Sequence, residues 1–182
     1  MKYKVMNLVY DNIDTDIIIP KQFLKQTSKD GLGKYAFYNW RYDAKGNKKQ
    51  TILNENDDKQ YNVLITGHNF GCGSSREHAA WALADYGFDI IIASSFSDIF
   101  YQNWLNNNKI PLIIANDEIM NLVAEGIKNI TINLLKKRII INDKCYEIKI
   151  SKKRQICLLE DIDEIDYTTK FTTQIKEYEL LI

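Results

Sequence analysis

Three short apolar runs, 61–66 (YNVLIT), 88–93 (FDIIIA) and 109–115 (KIPLIIA), are separated by two stretches of helical character, and no other feature limits the fold as strongly. Each run has the length of a strand and is apolar on successive residues, the pattern of a strand buried on both faces. Between the first two lies 76–87 (REHAAWALADYG), rich in alanine and leucine and closed by Gly87, which favours helix. Between the second and third, 96–106 carries aromatics at helical spacing. Strand, helix, strand, helix, strand predicts parallel pairing through right-handed crossovers, hence an α/β class with a parallel βαβ core.

The flanking segments are less regular. Residues 2–9 partly alternate as a strand would, DNIDTD at 11–16 makes an acidic loop, and the run 17–19 (III), ended by Pro20, reads as a short strand. Over 21–49 periodicity is poor, with Gly31, Gly33 and Gly46 interspersed among Tyr35, Phe37, Tyr38, Trp40 and Tyr42. This predicts a long functional loop or short helical pieces, mobile until a partner orders it. Downstream, Asp117 is a candidate N-cap for a helix over 118–125 stopped by Gly126. The β-branched runs TINLL, RIIIN and CYEIKI follow, with Asn142 and Asp143 as a turn. They predict an antiparallel hairpin completing a mixed sheet. Phe171, Ile175 and Tyr178 stand at helical spacing in 166–181 and predict a packed terminal helix. With 182 residues, no repeat and no linker, a single domain over 1–182 is expected.

Composition removes several classes of function. Lys plus Arg and Asp plus Glu both number 24, so net charge draws the chain to neither nucleic acid nor anionic lipid. Cys72, Cys145 and Cys157 form no CxxC pair and are odd in number, which argues against a disulfide framework or a self-contained zinc site and predicts a reducing cytoplasm. The start lacks a signal-peptide h-region, and no apolar run approaches the roughly 20 residues that span a bilayer. Lysine occurs 20 times and arginine four, so each arginine raises the question of whether its planar fork is required.

The strongest local signal is 67–78 (GHNFGCGSSREH), set between a buried strand and a helix. Such a loop aims backbone N–H groups and the positive end of a helix dipole into a cleft, and its natural guest is an anion. Gly71 and Gly73 would let the backbone turn sharply against that guest. Ser74 or Ser75 would stand at the helix entrance, and Arg76 could offer a fork to a carboxylate or phosphate. A plainer reading stands beside this one: Ser74 and Glu77 match the S-x-x-E capping box, so helix capping alone, worth roughly 1 kcal/mol, would explain a serine here. The spacing fits neither the dinucleotide nor the P-loop fingerprint, nor the G-x-S-x-G elbow. His68 lies four residues before Cys72 and His78 six after; that spacing recommends neither a metal site nor a thiol nucleophile. Cys72 is expected to fill a small buried space, and His78 to be a structural histidine.

NFGCGSSREHA, together with DTDIIIPKQFL, NWRYD, WALADYGF and SSFSDIFYQNWLNN, resembles the small subunits of bacterial 3-isopropylmalate dehydratase, in the same order over nearly the whole chain. That family lies in the aconitase superfamily, and the resemblance implies its swivelling β/β/α domain. It further implies a hydro-lyase of leucine biosynthesis, in which 2-isopropylmalate loses water to give isopropylmaleate and is rehydrated as 3-isopropylmalate. The implied partner is a large subunit holding a 4Fe-4S cluster through three cysteines, a set this chain lacks. By the same resemblance Ser74 is similar to the serine that moves the proton at substrate carbon, Ser75 and Arg76 to the adjoining substrate-binding pair, and Asp16 to an acidic residue joining the catalytic network at the subunit junction. Asp14 is read as a turn residue. Relatives commonly carry an arginine in the recognition loop after KQFL, whereas the nearest cation here is Lys29, which can neutralise a carboxylate but cannot fork around it. The apolar wall for an isopropyl group could come from 17–19, Phe23 or Leu24, all of which could equally be core.

Elementary energetics explain why a partner is expected. A serine hydroxyl resembles water in acidity, and ionising it at neutral pH requires roughly 12 kcal/mol. A helix end supplies at most about 2 kcal/mol, so the rest must come from charge neutralisation at a metal and exclusion of water. Two other readings remain open on sequence: the small subunit of a homoaconitase or methylmalate-type hydro-lyase, and a free-standing dicarboxylate-binding module.

Overall fold

The computed structural model describes residues 3–56, 61–127 and 130–180. Lys2 and Leu181, at the ends of the first predicted strand and the terminal helix, lie outside them. Strands β1 (Val5–Asn7), β2 (Val63–Ile65), β3 (Ile90–Ala93) and β4 (Ile110–Ile113) form a parallel sheet in the order 1-2-3-4. Because neighbours in sequence are neighbours in space, right-handed crossovers place their helices on one face. Those helices are α1 (Thr15–Ile18), α2 (Tyr38–Arg41), α3 (Glu77–Tyr86) and α4 (Asp98–Asn106).

The two faces of the sheet are filled by alternate residues. Leu64, Ile91 and Ala93 pack with Ala79, Ala80, Leu83, Phe100 and Trp104 of α3 and α4. Val63, Ile65, Ile90 and Ile92 face the other way, against α5 (Asn116–Glu125) and a second sheet. That sheet is antiparallel and comprises β5 (Ile130–Asn133), β6 (Arg138–Ile141) and β7 (Lys144–Glu147). It buries Ile139 and Ile141 and turns Arg138 and Ile140 outward. The class is α/β with parallel and antiparallel parts, but the antiparallel strands do not complete one mixed sheet. They stack across the parallel sheet because its second face, left bare by one-sided crossovers, needs an apolar cover.

Other expectations are corrected in detail. The run 17–19 is not a strand: Asp14 accepts a 2.7 Å hydrogen bond from Ile17 N and caps the helical turn α1, which buries Ile18 and Ile19. The N-cap of α5 is Ala115, not Asp117, which lies inside the first turn. At the C-terminal end α6 (Lys152–Glu160), α7 (Glu164–Thr169) and α8 (Thr172–Glu179) are helical, but Phe171, Ile175 and Tyr178 stay 42%, 41% and 65% exposed rather than packed.

Over 21–49 the chain folds as short helical pieces rather than one long loop. Short helical pieces carry Leu32, Ala36 and Phe37 into the core, and Phe23 stacks on Tyr35 at 4.0 Å between ring centroids. Gly33 rests against the backbone of Asp85 and Tyr86, where a Cβ would collide, and Asp85 accepts its N–H at 2.7 Å. Aromatics without helical periodicity pack here through tertiary contact, which is why sequence pattern undervalued them. The scarce arginines account for much of the rest. Arg41, 3% exposed, donates to the carbonyls of Gly33, Lys34 and Ala36 and to Asn54 Oδ1, and lies over the Tyr86 ring. Arg154 donates to Leu105 O and Asn106 Oδ1 at the end of α4 and pairs with Glu164 of α7. Replacing Arg41 by Met strands several buried carbonyls and is expected to lower unfolding free energy by about 2–4 kcal/mol in urea titration; a change below about 1 kcal/mol would show that those bonds are dispensable.

Candidate active site

The loops that leave the carboxyl ends of β1, β2 and β3 meet at one edge of the parallel sheet, where ligands of such sheets bind. They are tied backbone to backbone. Gly71 N donates to Ile13 O at 2.8 Å, Thr15 N to Cys72 O at 2.9 Å, and Phe70 N to Ser95 O at 3.0 Å. Two hydroxyls tighten the junction: Thr15 Oγ1 donates to Ser74 O at 2.9 Å, and Ser97 Oγ to Gly71 O at 2.6 Å. Gly71 lies at φ 74°, and a Cβ there would collide with the Phe100 side chain at its Cγ. The glycine is therefore required twice, by the turn and by the close approach of α4.

This framework decides what the serines do. The helix α3 starts only at Glu77; its N-cap is Arg76, with no side-chain cap bond. The capping box is not formed, because Thr15 holds the Ser74 carbonyl and the chain runs extended through Arg76 before the first helical turn. Ser74 and Ser75 are exposed, and among the described residues neither hydroxyl has a hydrogen-bond partner. Both line an open cleft of about 240 Å³, with Thr15, Gly71, Gly73 and Arg76 on one side and Ser97, Asp98, Ile99, Phe100 and Asn103 on the other.

Arg76 grips Asp16 end-on, through two bonds of 2.7 and 3.0 Å. The guanidinium side chain is 8% exposed and the carboxylate 43%. The hydrogen bonds from Arg76 hold the Asp16 carboxyl below the usual carboxylate range, and the guanidinium charge acts the same way. Since the folded value lies below the unfolded one, the pair contributes fully above the ordinary carboxylate range and is lost as pH falls through the lowered value. The stability gap between the wild type and Asp16→Asn should thus be visible at neutral pH, at no more than about 1 kcal/mol for so exposed a partner, and should close on acidification. Urea titrations at neutral and acidic pH would detect a gap that instead widens.

The remaining predicted residues divide. Lys29 is not in this cleft: it donates to Asn107 Oδ1 at 3.1 Å, lies 5.4 Å from the Trp81 ring centre, and borders a separate hollow beside Asp30 and Asp85. Burial, and then the Asp14 charge, push the Cys72 thiol up, so it is a protonated and poor nucleophile at neutral pH. His78 Nε2 donates to Gln26 O at 3.0 Å and is structural, while His68 pairs through Nδ1 with Ser95 Oγ at 2.8 Å. The α4 wall, Ser97 to Asn103, comes from a different crossover. The signal for it is that β2 and β3 are adjacent parallel strands, so the loops after them must converge.

The aconitase C-terminal domain model matches residues 2–117. The small subunit of 3-isopropylmalate dehydratase from Buchnera aphidicola subsp. Baizongia pistaciae is 46% identical, covering 98% of this chain and 92% of the relative. The chain belongs to the 3-isopropylmalate dehydratase small-subunit family. Members with the same name from Staphylococcus saprophyticus and Bacillus cereus are 46% and 45% identical, over 97% and 96% of the chain. The solved 3-isopropylmalate dehydratase chain from Methanocaldococcus jannaschii is 30% identical with a TM-score of 0.65, covering 97% of this chain and 98% of that one. The matched residues 2–117 include the serine loop and all four strands of the parallel sheet. The cysteines of this family member do not make a cluster site: Cys72 is in the serine loop, Cys145 in β7 and Cys157 buried in α6. Among the described residues no group of three or more His, Cys, Asp or Glu is placed to hold a metal ion.

Proposed function

We propose that the chain is the small subunit of a two-subunit hydro-lyase that isomerises 2-isopropylmalate to 3-isopropylmalate through isopropylmaleate. The observation that carries this reading is the Ser74 hydroxyl, unpartnered among the described residues and open to a cleft that also holds Arg76. Ser74 takes the proton from the substrate methylene carbon as the C–O bond of the neighbouring carbon breaks and its hydroxyl leaves; on rehydration Ser74 gives the proton to that neighbouring carbon while a hydroxyl adds to the first. Ser75 and Arg76 hold a substrate carboxylate: Asp16 occupies the end of the guanidinium, which leaves the Nε edge for the substrate. Ionised Asp16 serves as the acceptor that fixes this fork. Lys29 contacts substrate only if its segment leaves Asn107 and Trp81.

The 4Fe-4S cluster of this reading belongs to a large subunit, where it supplies Lewis acidity toward the substrate hydroxyl and carboxylate. The cytoplasm is the proposed compartment, since the cluster and three free thiols suit a reducing medium; no helix among the described residues is long and apolar enough to cross a membrane. Anaerobic mixing with the large subunit provides the test. Isopropylmaleate should be hydrated by the pair and by neither chain alone; a partner-free chain that binds dicarboxylates and never gains turnover would replace the enzyme reading with the binding module.

A further inference from the structure

We infer that Ile99 faces the apolar substituent of the substrate and sets which substituted malates the enzyme accepts. The inference rests on the isopropylmalate reading above. The cleft has two unlike walls. One presents hydroxyls and the Arg76 guanidinium; the other is the first turn of α4, with Ile99 beside the Phe100 ring. Phe100 is 2% exposed beneath Gly71 and offers little surface, whereas Ile99 is 54% exposed. Of the large exposed apolar side chains among the described residues, Ile99 alone lines this cleft.

Of the candidates suggested by sequence, Ile18 and Ile19 are fully buried, and Ile17, Phe23 and Leu24, half-buried against the core, do not line this cleft. A β-branched residue at the second position of α4 gains little for the helix, so its presence there calls for another reason. Charge orients the guest in the same sense. Arg76 draws carboxylates to the serine wall, and Asp98 on the α4 wall repels them, which leaves the uncharged substituent against Ile99. The wall is also held in place. Ser97 accepts the Phe100 N–H and donates to Gly71 O, while Ser97 N donates to Phe70 O at 3.0 Å. A side chain carried on backbone held this firmly is presented at a fixed place, which lets it discriminate by shape.

The experiment uses the assembled enzyme with Ile99→Ala. kcat/KM for 2-isopropylmalate should fall roughly 10- to 100-fold, while a methyl-substituted malate, followed as substrate or competitive inhibitor, should change less than about threefold. Ile99→Leu should restore most of the preference. Equal losses for both compounds, no change for either, or a loss matched by weaker binding of the large subunit in a pull-down titration would each overturn the assignment, the last by making Ile99 a partner contact. A wild-type pair inactive on both isopropyl compounds would instead overturn the functional reading.

Discussion

Ser74→Ala should lower turnover of the assembled enzyme by about 100- to 10,000-fold, the span expected when a positioned proton-transfer group is removed. Its melting and its binding to the large subunit should not change. The contrast follows from what Ser74 does in the fold. Its carbonyl is used, by Thr15, but its exposed hydroxyl has no partner among the described residues, so alanine leaves no buried group unsatisfied. A capping serine would behave in the opposite way, with about 1 kcal/mol lost from the helix and turnover nearly kept. Ser75→Ala, removing a proposed binding hydroxyl, should act more on KM than on kcat.

Gly71→Ala should be the most damaging single-methyl change in the site. The residue sits at φ 74° with Phe100 directly against it, so the substitution combines backbone strain with overpacking. Together these cost about 2–4 kcal/mol. The displaced element would be the start of α4, which Ser97 ties to Gly71 O. Activity should therefore drop even below the melting temperature, because the α4 wall moves away from the serines. A urea midpoint within error of wild type would mean that α4 tolerates the shift and that the close approach is not required.

The parallel core was legible because β2 and β3 are buried on both faces and therefore apolar throughout, and because Gly87 ends α3 at a position that needs φ 119°. Local pattern was misleading where a polar residue decided the outcome: Asp14 drew Ile17 and Ile18 into the helical turn Thr15–Ile18, and Thr15 took the Ser74 carbonyl and cancelled the capping box. Asp14 acts as a cap that hydrophobic pattern does not register, and Thr15 is far from Ser74 in sequence, beyond the reach of any local pattern. The role of Arg41 was out of reach because its acceptors are tertiary, although the scarcity of arginine marked it as unusual. In the site, the serine loop declared itself by its glycines and its place between strand and helix. Ile99 did not, since only strand adjacency brings it opposite Ser74.

In the proposed reaction the Ser74 oxygen moves a substrate proton once the large subunit covers the cleft. The direct measurement is loss of deuterium from the labelled carbon of 2-isopropylmalate, the one beside the hydroxyl-bearing carbon, whether the label passes to the neighbouring carbon or to solvent, with the large subunit present. Loss from that carbon should be fast with wild type and at least about 100-fold slower with Ser74→Ala, with substrate still bound. Loss at the wild-type rate by the alanine variant would contradict this role and assign the proton to another group.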